Sequence, residues 1–152
     1  MPLPSSTSAT AIVDRLLPYV DRLEKRTIES IRLIVIHCTE LPDLAAARDY
    51  GERALYASGT GNSGHYYIDR DGTIERWVPE NRLAHHVRDR NAESIGIELV
   101  NTGRWPDWYD SRRQRSGEPY PAPQIAALIG LIAELSSRFP GLVAVAGHED
   151  LD

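Results

Sequence analysis

Two short apolar runs, far apart in the chain, each end in a histidine. Residues 31–36 are followed by His37, and residues 142–147 are followed by His148. Such runs are typical of buried strands, and a strand end delivers its side chain to the mouth of a cleft. Neutral imidazole is a preferred zinc ligand, and open catalytic zinc sites use few protein ligands. The two histidines therefore predict a Zn²⁺ site assembled by the fold.

Composition limits the class of protein. The chain has 152 residues, 41% of them hydrophobic, which predicts a loose segment over 1–10 and one compact domain over 11–152. Its net charge of −5 disfavours a nucleic-acid binder, which would show a basic footprint. Neither a signal peptide nor a membrane-length apolar stretch is evident, so we expect a cytoplasmic protein without membrane insertion. Cys38 is the only cysteine, which excludes an internal disulfide. The oligomeric state is left open.

The spacing of apolar residues predicts a series of helices and strands. It predicts helices over 11–24, 42–56 and 123–138, strands over 31–36, 94–100 and 142–147, and a hairpin with the turn Arg70-Asp71-Gly72. Residues 101–121 hold two tryptophans and three prolines, which predicts a long surface loop. Strands with helices before, between and after them indicate the α/β class, with a mixed central β-sheet flanked by helices.

Glu98 is the carboxylate with the clearest chemical potential. It lies on the predicted strand 94–100, on the face opposite Ile97 and Leu99. One reading is a solvated residue on the outer face of the sheet. The other is a general base beside a metal-activated water, where apolar walls would raise its pKa.

The remaining histidines and the cysteine have weaker signals. His65, at the start of the hairpin, is expected to pack or to form hydrogen bonds. His85 and His86 are adjacent in a loop, so one of them could face a substrate. Cys38 follows His37 and is expected on the opposite face of the strand, as buried filler.

Several strings of residues, in order, resemble a known family. They are Ile34-Val35-Ile36-His37, residues 63–74 (Ser-Gly-His-Tyr-Tyr-Ile-Asp-Arg-Asp-Gly-Thr-Ile), Ala84-His85-His86, residues 91–101 (Asn-Ala-Glu-Ser-Ile-Gly-Ile-Glu-Leu-Val-Asn) and Gly147-His148-Glu149-Asp150. Together they resemble the type 2 zinc-dependent N-acetylmuramoyl-L-alanine amidases, which include peptidoglycan recognition proteins and amidase-type phage lysozymes. The resemblance implies the fold of the peptidoglycan recognition proteins.

The resemblance also implies roles for individual residues. His37 and His148 match the two zinc-binding histidines, and Glu98 matches the catalytic base of the bacterial recycling branch. His86 matches a histidine of the substrate groove, although His85 stands where many relatives have tryptophan. Asn101, which flanks the predicted strand 94–100, is expected either as a turn residue or as a substrate-binding residue. Trp105, Trp108 and Tyr109, in the long loop, are expected either to wall the groove and bind substrate or to pack beneath the loop.

The resemblance leaves the metal sphere incomplete. The family's third ligand, Asp or Cys, falls about ten residues after the second histidine, with a catalytic Lys just before it. That position lies past residue 152, and the only lysine here is Lys25. Asp150 and Asp152 are the nearby alternatives.

The resemblance implies hydrolysis of the amide between N-acetylmuramic acid and L-alanine in peptidoglycan fragments, the expected binding partners. The recycling branch, which cleaves anhydro-muropeptides inside the cell, is favoured. Three alternatives stay open: a non-catalytic peptidoglycan-binding module, a zinc hydrolase acting on another amide or ester, and a prophage endolysin acting on intact wall.

Overall fold

A mixed six-stranded sheet forms the centre of the protein, in a computed structural model that describes residues 10–113 and 117–151. The strands are β1 (Ile12–Asp14), β2 (Leu33–Cys38), β3 (Tyr66–Ile68), β4 (Ile74–Arg76), β5 (Ser94–Leu99) and β6 (Ala144–Gly147), in the order β1-β4-β3-β5-β2-β6. The helices are α1 (Leu44–Gly51) and α2 (Ala122–Arg138). Short 3₁₀ turns cover Val20–Arg22, Ile28–Ser30, Asn91–Glu93 and His148–Asp150. The predicted α/β class is confirmed.

The central pair of strands carries the site. β2 and β5 run parallel, with six residues in register from Leu33 opposite Ser94 to Cys38 opposite Leu99. This register sets His37 directly beside Glu98. β6 is an edge strand that pairs with β2 alone among the described strands, and its first two residues are exposed.

The main core lies between the sheet and α2. Its fully buried side chains come from the central strands and from one stripe of α2: Ile34, Tyr66, Ile68, Ile95, Ile97, Leu131 and Leu135. The helix follows the predicted 3.6-residue period, with Leu128, Leu131 and Leu135 buried, whereas Ile129 is 63% exposed. This packing holds β5 and β2 rigidly beneath the cleft.

The predicted helix over 11–24 is wrong. Residues 12–14 form β1, which pairs in parallel with β4. The backbone N–H groups of Arg15 and Leu17 continue this pairing by donating to the carbonyls of Arg76 and Trp77. Pro18 lacks the N–H that a helix interior needs, so the hydrogen bonds to the sheet win over the local apolar period.

The predicted helix over 42–56 is shorter in the structure. It begins after Asp43, whose Oδ1 caps the helix by accepting from the N–H of Ala46 at 2.8 Å. It ends at Gly51, because Leu55 and Tyr56 donate their N–H groups to the carbonyl of Thr60 and form a loop instead.

The other predicted elements agree with the structure. The hairpin joins β3 and β4 in antiparallel pairing, and β2, β5, α2 and β6 lie where the sequence predicts them. None of the described helices is long and apolar enough to cross a membrane. The predicted loose segment over 1–10 falls almost entirely outside the described residues.

Candidate metal and catalytic site

His37 and His148 lie together at one edge of the sheet. β2 and β6 are parallel, so their carboxyl ends meet, and His37 is the penultimate residue of β2 while His148 directly follows β6. The two imidazole centroids are 4.7 Å apart with an interplanar angle of 64°. Both rings line a cleft of about 1170 Å³, and Glu98 lines the same cleft. The structure therefore brings together the three residues that the sequence analysis placed at the centre of the chemistry.

Burial keeps the His37 side chain neutral. The residue is 6% exposed. Burial, with a smaller contribution from nearby His148, lowers the pKa of His37 to about 3. A neutral imidazole retains the lone pair that a metal ligand must offer.

Glu98 faces the cleft and is not a solvated residue of an outer surface. Its Oε2 atom is buried and has no hydrogen-bond partner among the described residues. Burial, together with the neighbouring Glu40 carboxylate, raises the pKa of Glu98 to about 8. A buried carboxyl oxygen without a partner needs a ligand, and a carboxyl with a pKa near neutrality can both accept and return a proton.

His86 contacts His37 directly. Its Nδ1 lies 2.9 Å from the Nε2 of His37, and its Nε2 lies 3.0 Å from the Oγ of Ser94. Burial lowers the pKa of His86 well below its usual value. The ring rests against Gly96, where a Cβ would come within 2.7 Å of it. His86 lines the cleft, as expected of a groove residue.

Asn101 and Trp105 are not brought into the cleft. The Asn101 side chain is fully buried, donates to the carbonyl of Glu118 and accepts from the N–H of Gly103. Its amide is thus used to hold the long loop. Trp105 lies in a second pocket formed by that loop, where it is 41% exposed. Of the other loop aromatics expected at the groove, Trp108 lines the cleft, whereas Tyr109 is 98% exposed and does not line it.

Trp108 is held by contacts with the first half of the chain. Its Nε1 donates to the carbonyl of Glu40 at 2.9 Å, and its ring meets Tyr50 edge to face. The Glu40 carboxylate accepts from the guanidinium of Arg104, which lowers the pKa of Glu40. These contacts fix the long loop as one wall of the cleft.

Tyr67 is a cleft residue that the sequence analysis missed. It lies opposite Glu98 in the register of β3 and β5, on the side away from His37. Its ring stacks on Trp77 at 3.6 Å, and its hydroxyl accepts from the N–H of Gly64. Tyr67 lies in line with Glu98 and His37 because of the strand order and register, and neither of these can be read from the sequence.

Two further expectations have structural outcomes. His65 is fully buried, with Nδ1 accepting from the N–H of Gly96 and Nε2 bonded to the carbonyl of Arg82, which confirms a hydrogen-bonding role. Cys38 lies opposite Leu99 in the register of β2 and β5, and Leu99 belongs to the core packed against α2, so the expected position of Cys38 on the face opposite His37 is confirmed. The residue is half-buried, and its Sγ lies 3.6 Å from the carbonyl oxygen of Asn101.

A complete metal-binding group is not assembled by the described residues. Within residues 10–113 and 117–151, no three His, Cys, Asp or Glu side chains could hold one ion together. The Oδ2 of Asp150 accepts from the N–H of Gly147 at 3.0 Å, so this carboxylate already closes the turn that carries His148. Asp152 lies outside the described residues.

Residues 27–152 match the N-acetylmuramoyl-L-alanine amidase family, and the chain belongs to it. Among curated proteins it is similar to the endolysin of Klebsiella phage KP32, with 32% identity over 85 residues, 56% of this chain and 52% of that endolysin. The chain thus spans about half the length of this relative.

Solved structures share the fold. The Ph2119 endolysin of a Thermus scotoductus MAT2119 bacteriophage superimposes with a TM-score of 0.72 at 23% identity, over 93% of this chain and 88% of that one. AMPDH3 from Pseudomonas aeruginosa, solved with anhydromuramic pentapeptide, superimposes with a TM-score of 0.64 at 28% identity, over 80% of this chain and 52% of that one. The expected fold is confirmed.

Proposed function

We propose that this chain is a zinc-dependent amidase that hydrolyses the bond between the lactyl group of N-acetylmuramic acid and L-alanine in peptidoglycan fragments. The observation that carries this proposal is the grouping of His37, His148 and Glu98 in one cleft. Family membership supplies the reaction class. A buried carboxyl oxygen without a partner among the described residues, in one cleft with two paired imidazoles, is an arrangement that suits metal-assisted hydrolysis.

The residues present fit two positions of a zinc sphere. His37 is neutral, its ring is 4.7 Å from that of His148, and the orphaned Glu98 oxygen lies in the same cleft. Bound Zn²⁺ supplies a lowered pKa for water and polarisation of the scissile carbonyl. We propose His37 and His148 as its ligands on this chain.

Glu98 moves the proton. Water adds to the amide carbon, and Glu98 accepts the proton that the water loses. Glu98 then donates this proton to the amide nitrogen as the C–N bond breaks, which releases the free amine of L-alanine and leaves the lactyl carboxylic acid, whose remaining proton passes to solvent. The raised pKa of Glu98, about 8, suits both transfers near neutral pH.

The walls of the cleft position the substrate. Trp108, Tyr56 and His85 present rings along it, and Tyr56 and His85 lie 5.0 Å apart. Ring faces of this kind supply large contact areas for sugar faces and peptide stems. We propose His86 as a further groove residue through its contact with His37.

The direct test is hydrolysis of a purified muropeptide in the presence of zinc, followed by mass spectrometry of the released peptide. Glu98→Gln should reduce turnover by roughly 10²–10⁴-fold while the zinc content of the protein is unchanged. Glu29→Gln, the same chemical change at an exposed position, is the control. Turnover of Glu98→Gln close to wild type would remove Glu98 from the base role. Absence of peptide release by the wild type would favour a non-catalytic binding module.

Two substrates are proposed for comparison. Anhydro-muropeptide turnover in the cytoplasm is the first, supported by the similarity to AMPDH3, which was solved with an anhydromuramic pentapeptide. Intact wall is the second, supported by the curated phage endolysins. Rates on anhydro-muropeptide and on intact sacculi, measured side by side, distinguish recycling from wall lysis. Cell fractionation tests the location.

A further inference from the structure

A series of hydrogen bonds runs from the backbone carbonyl of Arg90 to His37. The Oγ of Ser94 lies 2.7 Å from the carbonyl oxygen of Arg90 and 3.0 Å from the Nε2 of His86. The Nδ1 of His86 lies 2.9 Å from the Nε2 of His37. This series of hydrogen bonds therefore begins at a backbone carbonyl, passes through the side chains of Ser94 and His86, and ends at the candidate metal ligand His37.

The direction of every bond in this series follows from its backbone end. A carbonyl oxygen can only accept, so the single hydroxyl proton of Ser94 is directed at Arg90. Ser94 must then accept from His86, which places the proton of the neutral His86 ring on Nε2. The Nδ1 of His86 is left as an acceptor, and the Nε2 of His37 must be the donor to it.

We propose that His86 is a positioning residue that fixes the tautomer of His37, so that His37 presents the Nδ1 lone pair to the metal. Among the described residues, the Nδ1 of His37 has no hydrogen-bond partner, whereas its Nε2 has one. The inference rests on the proposed function for the identity of the metal. The tautomer itself is a property of the metal-free protein.

The surroundings prevent His86 from leaving this position. Asn91 holds the backbone, because its Oδ1 accepts from the N–H groups of His86 and Val87 at 3.0 and 2.8 Å. Gly96 gives the ring a flat surface, since any Cβ there would overlap it. Groups that orient a metal-binding histidine in this way contribute to metal affinity, and losing one typically costs about 10–100-fold.

The first test is ¹⁵N NMR of the histidine rings in the metal-free protein. The expected spectrum shows both His86 and His37 protonated on Nε2. A spectrum with His86 protonated on Nδ1 would overturn the inference and leave the zinc assignment intact. Conversely, a wild-type protein with the expected tautomers that binds no zinc would overturn the proposed function alone.

The second test uses two nearly isosteric variants. His86→Asn keeps an acceptor near the position of Nδ1, and His86→Leu removes it. Zinc dissociation constants, measured by chelator competition, should rise by about 10–100-fold in the leucine variant and markedly less in the asparagine variant. The tautomer of His37 should be retained only with asparagine. His85→Leu, which changes the adjacent ring, should leave both readouts unchanged.

Equal zinc affinity in His86→Leu and wild type would overturn the inference. Circular dichroism checks that each variant is folded. If the leucine variant is unfolded, Ser94→Ala replaces it, because this change removes only the group that receives the His86 proton. Ser94→Ala should then give a mixture of His86 tautomers and weaker zinc binding. A single Nε2 tautomer with unchanged affinity in Ser94→Ala would count against the inference.

Discussion

Burial moves the pKa values of the two central side chains of the cleft in opposite directions. It raises the pKa of Glu98 to about 8 and lowers the pKa of His37 to about 3. Both shifts favour the neutral form, because a low-dielectric site penalises charge of either sign. Without a metal, Glu98 and His37 are therefore both favoured in their neutral forms. A bound dication would favour ionisation of Glu98.

The stability of the metal-free protein should depend on pH through Glu98. Its folded pKa of about 8 lies above its ordinary value of 4.5, so the folded state binds this proton more tightly. The stabilisation is fully present below pH 4.5 and is lost as the pH rises through 8. Relative to wild type, Glu98→Gln should thus gain stability steadily across this window. Urea unfolding of both proteins in EDTA from pH 4 to 9 measures the difference. A pH-independent difference would contradict the assignment.

His37→Ala should abolish stoichiometric zinc binding. The variant removes one of two paired imidazoles, and the described residues offer no three-ligand alternative to replace it. Metal analysis after dialysis against zinc is the measurement. His85→Ala is the control. The His85 ring contacts Tyr56 and not His37, so this variant should retain the metal. One zinc per chain in His37→Ala would refute the ligand assignment.

At the scale of elements, the pairing of β2 with β5 creates the site. The sequence predicts both strands from their apolar runs and singles out His37, His148 and Glu98 from strand ends and alternation, with roles that the family resemblance also implies. It could not predict that His37 and Glu98 would be direct neighbours, because register depends on contacts between distant segments.

Other elements were missed for related reasons. The apolar residues over 11–24 do recur at helical spacing. In the structure, however, residues 12–14 pair with β4, and Leu17 is buried in the same cluster as Trp77. Asn101 has the polarity of a binding residue, yet its amide satisfies loop backbone groups. In each case tertiary contacts outweigh a local signal.

Gly96→Ala should disturb β5 at the site. The added methyl group would come within 2.7 Å of the His86 ring, so the ring or the strand must shift. We expect a loss of about 1–3 kcal/mol in unfolding free energy and weaker zinc binding. Gly130→Ala is the matched control, since its Cβ meets only Thr10 Oγ1 at 3.6 Å and lies within α2. Denaturant unfolding and chelator competition compare the two. Equal behaviour would show that the contact with His86 is unimportant.

At the scale of the whole molecule, apolar side chains pack on both faces of the sheet. One cluster lies against α2, and a second is built around Trp77 and Tyr67. Apolar side chains therefore cover the centre of the sheet on both faces. In contrast, β6 is an edge strand with one partner among the described strands, and it has exposed residues such as Val145. The cleft lies where this exposed edge meets the buried centre.

A metal ion bound in the cleft would attach the edge strand β6 to the sheet at a second point. His37 belongs to the interior strand β2, and His148 follows β6, so an ion held by both side chains would join the rim of the sheet to its middle. Chelation should accelerate amide hydrogen exchange in residues 144–148 and leave residues 94–99 protected. Exchange mass spectrometry with and without EDTA measures this. The ion that takes part in the reaction would then also be a structural cross-link. The supply of metal would therefore control the stability of the edge of the sheet as well as the rate of hydrolysis.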